Sequence, residues 1–208
     1  MENILDIYKR PYDARFPVVC MDELNKQLVS ETRQPLPVQP GAPARYDYEY
    51  RREGVANAFI LFEPLGNWRT LKIYAQRTHR EWAWVVKDLV DVHYPHAERI
   101  TLVLDHLNTH VGASLYKVFA PAEARRLLDK LDLQYTPTHG SWLNMAEIEF
   151  SVFSRQCLTA RIGDCSTFQG VATRWSNARN RSGATVVWHF TTDDARIRLK
   201  SLYPAILS

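Results

Sequence analysis

Residues 17–22 (PVVCMD) and 99–105 (RITLVLD) are two short apolar runs rich in β-branched residues, and each ends on an aspartate. Runs of this length without polar alternation read as strands buried on both faces, the pattern of parallel strands covered by helices above and below. The neighbouring segments fit that frame. Residues 58–63 (AFILFE) and 70–77 (TLKIYAQR) flank Gly66-Asn67 as a hairpin, the second arm alternating Leu71, Ile73 and Ala75 with Lys72, Tyr74 and Gln76. Thr78 and Glu81 form a capping box ahead of Trp82, Val85, Val86, Leu89 and Val90, whose spacing predicts a helix over about 79–93.

Further along, Pro121 opens a helix with Ala124, Leu127, Leu128 and Leu131 inward, and residues 132–136 read as a short strand. No Pro or Gly interrupts residues 142–160, which predict a buried helix; Phe168, Val171, Ala172 and Trp175 mark another, and the cap Thr191 with Asp194 a last one over 193–203. Residues 30–54 hold Pro35, Pro37, Pro40, Gly41 and Pro43 and are expected to form a long loop. Strand, hairpin, helix, strand, helix, strand and trailing helices predict a three-layer α/β domain with a partly parallel central sheet, one domain over residues 1–208.

A chain of 208 residues with 46% hydrophobic content can fill one sizeable core. It has no apolar run of membrane-spanning length, and its start lacks the basic and apolar regions of a signal peptide, so a soluble, cytoplasmic protein is expected. Cys20, Cys157 and Cys165 are odd in number and form no C-x-x-C pair, which argues against a disulfide framework or a thiolate zinc site. The net charge of +3 is uneven: residues 1–150 hold 18 Lys/Arg against 20 Asp/Glu, and residues 151–208 hold 8 against 3. A basic C-terminal quarter suits a polyanion, although a solvated helical surface has the same composition.

The crevice outside the carboxyl ends of parallel strands is where open α/β sheets bind ligands, and Asp22 and Asp105 stand there. Two close carboxylates repel unless a hard divalent cation takes oxygens from both. A third acid from a neighbouring helix would complete a two-metal cluster for phosphodiester chemistry. Aspartates at strand ends also form turns and caps, so spacing alone reaches only a metal-dependent hydrolase, with the structural role left open.

Three segments carry more. Residues 18–23 (VVCMDE), 102–110 (LVLDHLNTH) and 139–150 (HGSWLNMAEIEF) resemble the three motif blocks of insertion-sequence 630 family transposases, the bacterial branch of the mariner superfamily. The likeness runs from about Tyr8 through the proline-rich segment and residues 188–196 (WHFTTDDAR) to Pro204. It implies an RNase H-like fold and a DDE triad, Asp22, Asp105 and Glu147, binding two Mg²⁺ or Mn²⁺ ions. It implies cleavage of double-stranded DNA at transposon ends and strand transfer into a target, with the protein at the nucleoid when bound to DNA. The N-terminal helix-turn-helix region with which such transposases recognise inverted repeats is expected to be absent. That expectation keeps two alternatives in view: a non-catalytic, regulatory transposase fragment, and a stand-alone RNase H-like nuclease.

Glu149 competes with Glu147 for the third position. Two residues on a helix are separated by about 200° of rotation, so the two cannot face one metal pair. Asn144 and Ser151 share the side of Glu147, which favours it. His139, Asn144 and Arg155 are expected to support the acids or to contact DNA. Glu23 is expected on the opposite face of its strand from Asp22, in a supporting or structural role. His106 and His110 have zinc-compatible spacing, but no third ligand is identifiable and no zinc site is expected.

Residues 30–54 interleave Arg33, Arg45, Arg51 and Arg52 with Tyr46, Tyr48 and Tyr50, a composition for tracking a nucleic-acid backbone or packing on a second subunit, although with Asp47, Glu49 and Glu53 it also fits a solvated ribbon. The resemblance to the mariner superfamily, where the corresponding loop can clasp the partner subunit, implies a homodimer. Arg155, Arg161, Arg174, Arg179 and Arg181 form the best basic cluster for phosphates. Trp82, Trp142, Trp175 and Trp188 are expected to supply core area.

Overall fold

A computed structural model describes residues 1–45, 47–138, 140–200 and 203. Five strands form one mixed sheet: β1 (Val18–Glu31), β2 (Tyr50–Glu63), β3 (Trp68–Tyr74), β4 (Ile100–Leu104) and β5 (Leu131–Tyr135), in the order β3-β2-β1-β4-β5. β1, β4 and β5 are parallel neighbours, while β1, β2 and β3 pair antiparallel. The wholly buried ITLVL of β4 matches the unbroken apolar run expected of a covered parallel strand. At the β2–β3 turn Asn67 takes φ 57°, a left-handed conformation that asparagine tolerates better than most residues.

Helices cover both faces. α1 (Glu2–Tyr8), α5 (Met145–Cys157), α6 (Cys165–Arg181) and α7 (Thr192–Arg198) pack on the face carrying Val18, Cys20, Ile60 and Val103. α2 (His79–Asp88), α3 (Ala113–Tyr116) and α4 (Pro121–Asp129) pack on the face carrying Val19, Met21, Phe59 and Leu102. The capping box at Thr78 is formed, its hydroxyl accepting from Arg80 N–H and Glu81 reaching back to Thr78 N–H. α2 buries Trp82, Val85 and Val86, each contributing about 1.5–3 kcal/mol through lost apolar hydration, and it runs on as a π-helical turn over Leu89–His93. The Thr191 cap with Asp194 is likewise formed. This is the expected three-layer α/β arrangement.

The largest departure lies in residues 23–57. β1 does not stop at Asp22 but continues to Glu31, and β2 begins at Tyr50, so the two pair over a long hairpin that outruns the rest of the sheet. The loop expected over 30–54 shrinks to its tip, where isolated bridges join Leu36 to Arg45 and Gln39 to Ala42. A register shift falls between Leu28 and Val29, opposite Gly54 at φ 102°. That conformation suits glycine and lets the strand absorb an extra residue as a bulge. Of the other helices, 142–160 narrows to a 3₁₀ turn (Ser141–Leu143) followed by α5, and the helix expected over 193–203 is α7 (Thr192–Arg198), residues 201 and 202 lying outside the described residues. α1 and α3 were not evident in the pattern.

Candidate active site

The last pair between β1 and β4 is Cys20 with Val103; Asp22 and Asp105 each stand two residues beyond it. Adjacent strands run about 4.8 Å apart, so the two aspartates leave the sheet side by side where the strands part. Residues two apart on a strand share a face, and Cys20 faces the α5 side. Asp22 therefore points toward that helix from within β1.

α5 brings Glu147 to the same place. Asn144 caps it, its side-chain oxygen accepting from Ala146 N–H at 3.1 Å, and its Nδ2 donates to the Met21 carbonyl at 2.7 Å. The first turn of α5 is thereby fastened to the residue preceding Asp22, with Glu147 in that turn. Asn144 is 1% exposed, which makes it an anchor between elements and not a DNA contact. Glu149 is turned away. Its Oε1 accepts from Arg179 Nη2 at 2.8 Å, and its Oε2 lies 3.0 Å from Arg69 Nε; the Arg69 and Glu149 side chains are fully buried. Both oxygens of Glu149 are thus committed to a buried ion triad.

The acids share one electrostatic field. Burial pushes the Asp22 carboxyl up to about 7, and the negative charges of Asp105, Glu147 and Glu23 push the same way, against the Glu23 N–H that donates to Oδ1 at 2.8 Å. Carboxylate oxygens at the end of a parallel pair are the donor set a hard divalent cation takes. Among the described residues, however, no three His, Cys, Asp or Glu side chains enclose a volume that could hold an ion as they stand. The donor chemistry and placement fit such an ion, while a closed ligand shell is not formed by these side chains alone.

One relationship had no counterpart in the sequence pattern. His110, fully buried, places Nδ1 2.7 Å from Asp105 Oδ1 and Nε2 2.7 Å from Glu23 Oε1. Burial acts to lower its pKa, but the hydrogen bonds and charges of the two acids prevail and raise it to about 9. Glu23 does lie on the face opposite Asp22, as expected, and from there supports the second aspartate. The only hint in the chain is that His110 falls inside the block that begins at Leu102.

Other expectations shift. His139 and Tyr46 lie outside the described residues. Arg155 is exposed on α5, but Arg179 is spent on Glu149, and Arg161 donates to Glu31 and to the carbonyls of Glu49 and Asp47, clasping the base of the hairpin tip. Their guanidinium groups are satisfied by protein, which leaves them poor candidates for phosphate. Trp142 is not a core residue: it is 38% exposed and stacks on Trp188 at 6.2 Å, just ahead of α5.

Residues 17–169 match the family described as DDE superfamily endonuclease, a span that begins just before β1 and holds all three acids. The chain belongs to that family. Among solved structures, this DDE endonuclease superposes on a Mos1 mariner paired-end complex with Mn (16% identity, TM-score 0.55, 88% of this chain and 56% of that one). It also matches a Mos1 transposase paired-end complex with the left transposon end (14%, 0.58, 88% and 56%) and a Mos1 strand transfer complex (14%, 0.57, 88% and 54%). The likeness gives this DDE endonuclease an RNase H-like fold, and it spans little more than half the length of those chains. No curated protein matches.

Proposed function

We propose that this chain is the catalytic domain of a mariner-type transposase of the insertion-sequence 630 kind, cutting DNA at transposon ends and joining the ends to a target. The observation that carries the reading is the placement of Asp22 and Asp105 two residues beyond the last β1–β4 pair, with Asn144 fastening the first turn of α5, which holds Glu147, to the residue before Asp22. Burial first, and then the charges of Asp105 and Glu147, raise the Asp22 carboxyl to about 7. Asp22, Asp105 and Glu147 would hold Mg²⁺ or Mn²⁺, two ions in all. When bound, the ions supply Lewis-acid activation of a water or a DNA 3′-hydroxyl and stabilise the leaving oxygen. The chain's own part is to bring three carboxylates to the same end of the sheet, Asp22 within β1, Asp105 just past β4, and Glu147 on α5, which Asn144 fastens to β1. The matched Mos1 complexes, one with Mn and one with the left transposon end, support the same assignment.

The hairpin tip supports a homodimer. Leu36, Val38 and Tyr48 are 61%, 72% and 86% exposed on an arm that outruns the sheet, an apolar projection suited to a second copy.

Incubating the chain with Mn²⁺, a labelled pre-cleaved transposon end and a target plasmid tests the reading. Strand-transfer products that vanish in Asp105→Asn are expected. Hydrolysis without joining would assign a stand-alone nuclease, and DNA binding without turnover a regulatory fragment.

A further inference from the structure

Asp105 follows the last residue of β4 and begins a segment without regular structure that reaches His110. A carboxylate so placed, with its side chain 30% exposed, has nothing in its own backbone to hold its orientation. His110 provides that hold. Its ring lies against the buried Trp82 at 6.0 Å and 23° between planes, and its carbonyl accepts from Tyr135 Oη at 2.8 Å. Each ring nitrogen is committed to one carboxylate, so the ring cannot turn over without breaking both contacts. Glu23, with 5% of its side chain exposed, fixes the far nitrogen from β1.

We propose that His110 and Glu23 are positioning residues for Asp105, a buried carboxylate–imidazole–carboxylate chain that holds Oδ1 and presents the remaining oxygen to the site. Partners that orient a metal-binding carboxylate typically govern affinity or activity by about 10–100-fold. The chain also links the two strands: Glu23 is the residue after Asp22, so the backbone that carries one aspartate sets the orientation of the other. The proposal rests on Asp105 being a metal ligand.

The test is a Mn²⁺ titration followed by electron paramagnetic resonance, on the full chain with a blunt DNA duplex, together with melting temperatures. His110→Ala is expected to weaken Mn²⁺ binding by about 10–100-fold. His110→Asn, whose amide nitrogen replaces Nδ1 beside Asp105, should recover most of the loss, whereas His110→Gln, whose amide reaches toward Glu23, should not. Glu23→Ala should weaken binding less than His110→Ala. A role confined to stability would treat the Asn and Gln variants alike. Equal Mn²⁺ affinity in folded His110→Ala and wild type, or equal loss in the Asn and Gln variants, would overturn the proposal. Asp105→Asn separates the two claims: if it retains wild-type affinity, the ligand assignment itself fails and the proposal with it; if it alone loses Mn²⁺, only the positioning role fails.

Discussion

Asn144 and Met21 are joined by one hydrogen bond, side-chain Nδ2 to backbone carbonyl at 2.7 Å, and this bond sets where α5 meets the strand that carries Asp22. The same side chain caps the helix. Asn144→Ala removes both functions at once. Loss of a cap costs about 1 kcal/mol and an unpaired buried carbonyl about 1–3 kcal/mol, so a total loss of roughly 2–4 kcal/mol is expected in urea unfolding. Asn144→Asp keeps the cap acceptor but sets a buried carboxylate oxygen against the Met21 carbonyl beside the other acids, and should lose at least as much as Asn144→Ala.

The neighbouring glutamates on α5 separate cleanly. Glu149→Ala leaves Arg69 buried without its counter-charge, and breaking such a pair costs about 3–5 kcal/mol. Glu147→Gln removes one of several like charges around Asp22, so it should leave stability unchanged or raised while abolishing cleavage. Melting curves and a cleavage assay on the two variants, run side by side, check this; wild-type cleavage in Glu147→Gln would contradict it.

The pH dependence has a definite sign. The Asp22 carboxyl is raised from 3.8 to about 7, so between these values the folded chain holds more protons than the unfolded one. Stability from this group is present below about 4 and is lost as pH rises toward 7, on the order of 4 kcal/mol for a shift of that size. His110, raised from 6.5 to about 9, adds stability that is full below 6.5 and lost as pH rises through 9. Denaturation with EDTA present should therefore show two losses, one as pH rises from about 4 to 7 and one through about 9, the first partly offset by His93, whose burial lowers its pKa. Asp22→Asn should flatten the acidic part and His110→Gln the alkaline part.

Much of this architecture was legible because its elements carry local signals. β4 is one unbroken apolar run, α2 has both a capping box and a 3.6-residue stripe, and α7 has its cap at Thr191. The apolar run marks only the first part of β1, for a physical reason. Beyond Asp22 the strand runs as ELNKQLVSE along an arm with little core beside it, so burial imposes no apolar alternation there. α1 has seven residues and no side-chain cap, too little for periodicity to register. Within the site, the aspartates were marked by strand ends, but the separation of Glu147 from Glu149 became structural only through Arg69 and Arg179, distant in sequence. The Glu23–His110 contact spans 87 positions and leaves no local trace.

The hairpin tip gives a prediction about assembly. Replacing Val38 and Leu36 by serine should lower dimer content in sedimentation without changing the melting temperature, since both side chains are exposed in the isolated chain. A monomeric wild type, or a double variant that dimerises as before, would place the contact elsewhere.

The most direct test of the triad is anomalous diffraction from Mn²⁺ in crystals of the chain with a DNA end. The account predicts an anomalous peak within about 2–2.6 Å of carboxylate oxygens of both Asp22 and Asp105, with Glu147 in reach of the same cluster. Manganese bound elsewhere, or ordered Asp22 and Asp105 carboxylates more than about 8 Å apart, a gap no shared ion at such ligand distances spans, would contradict it.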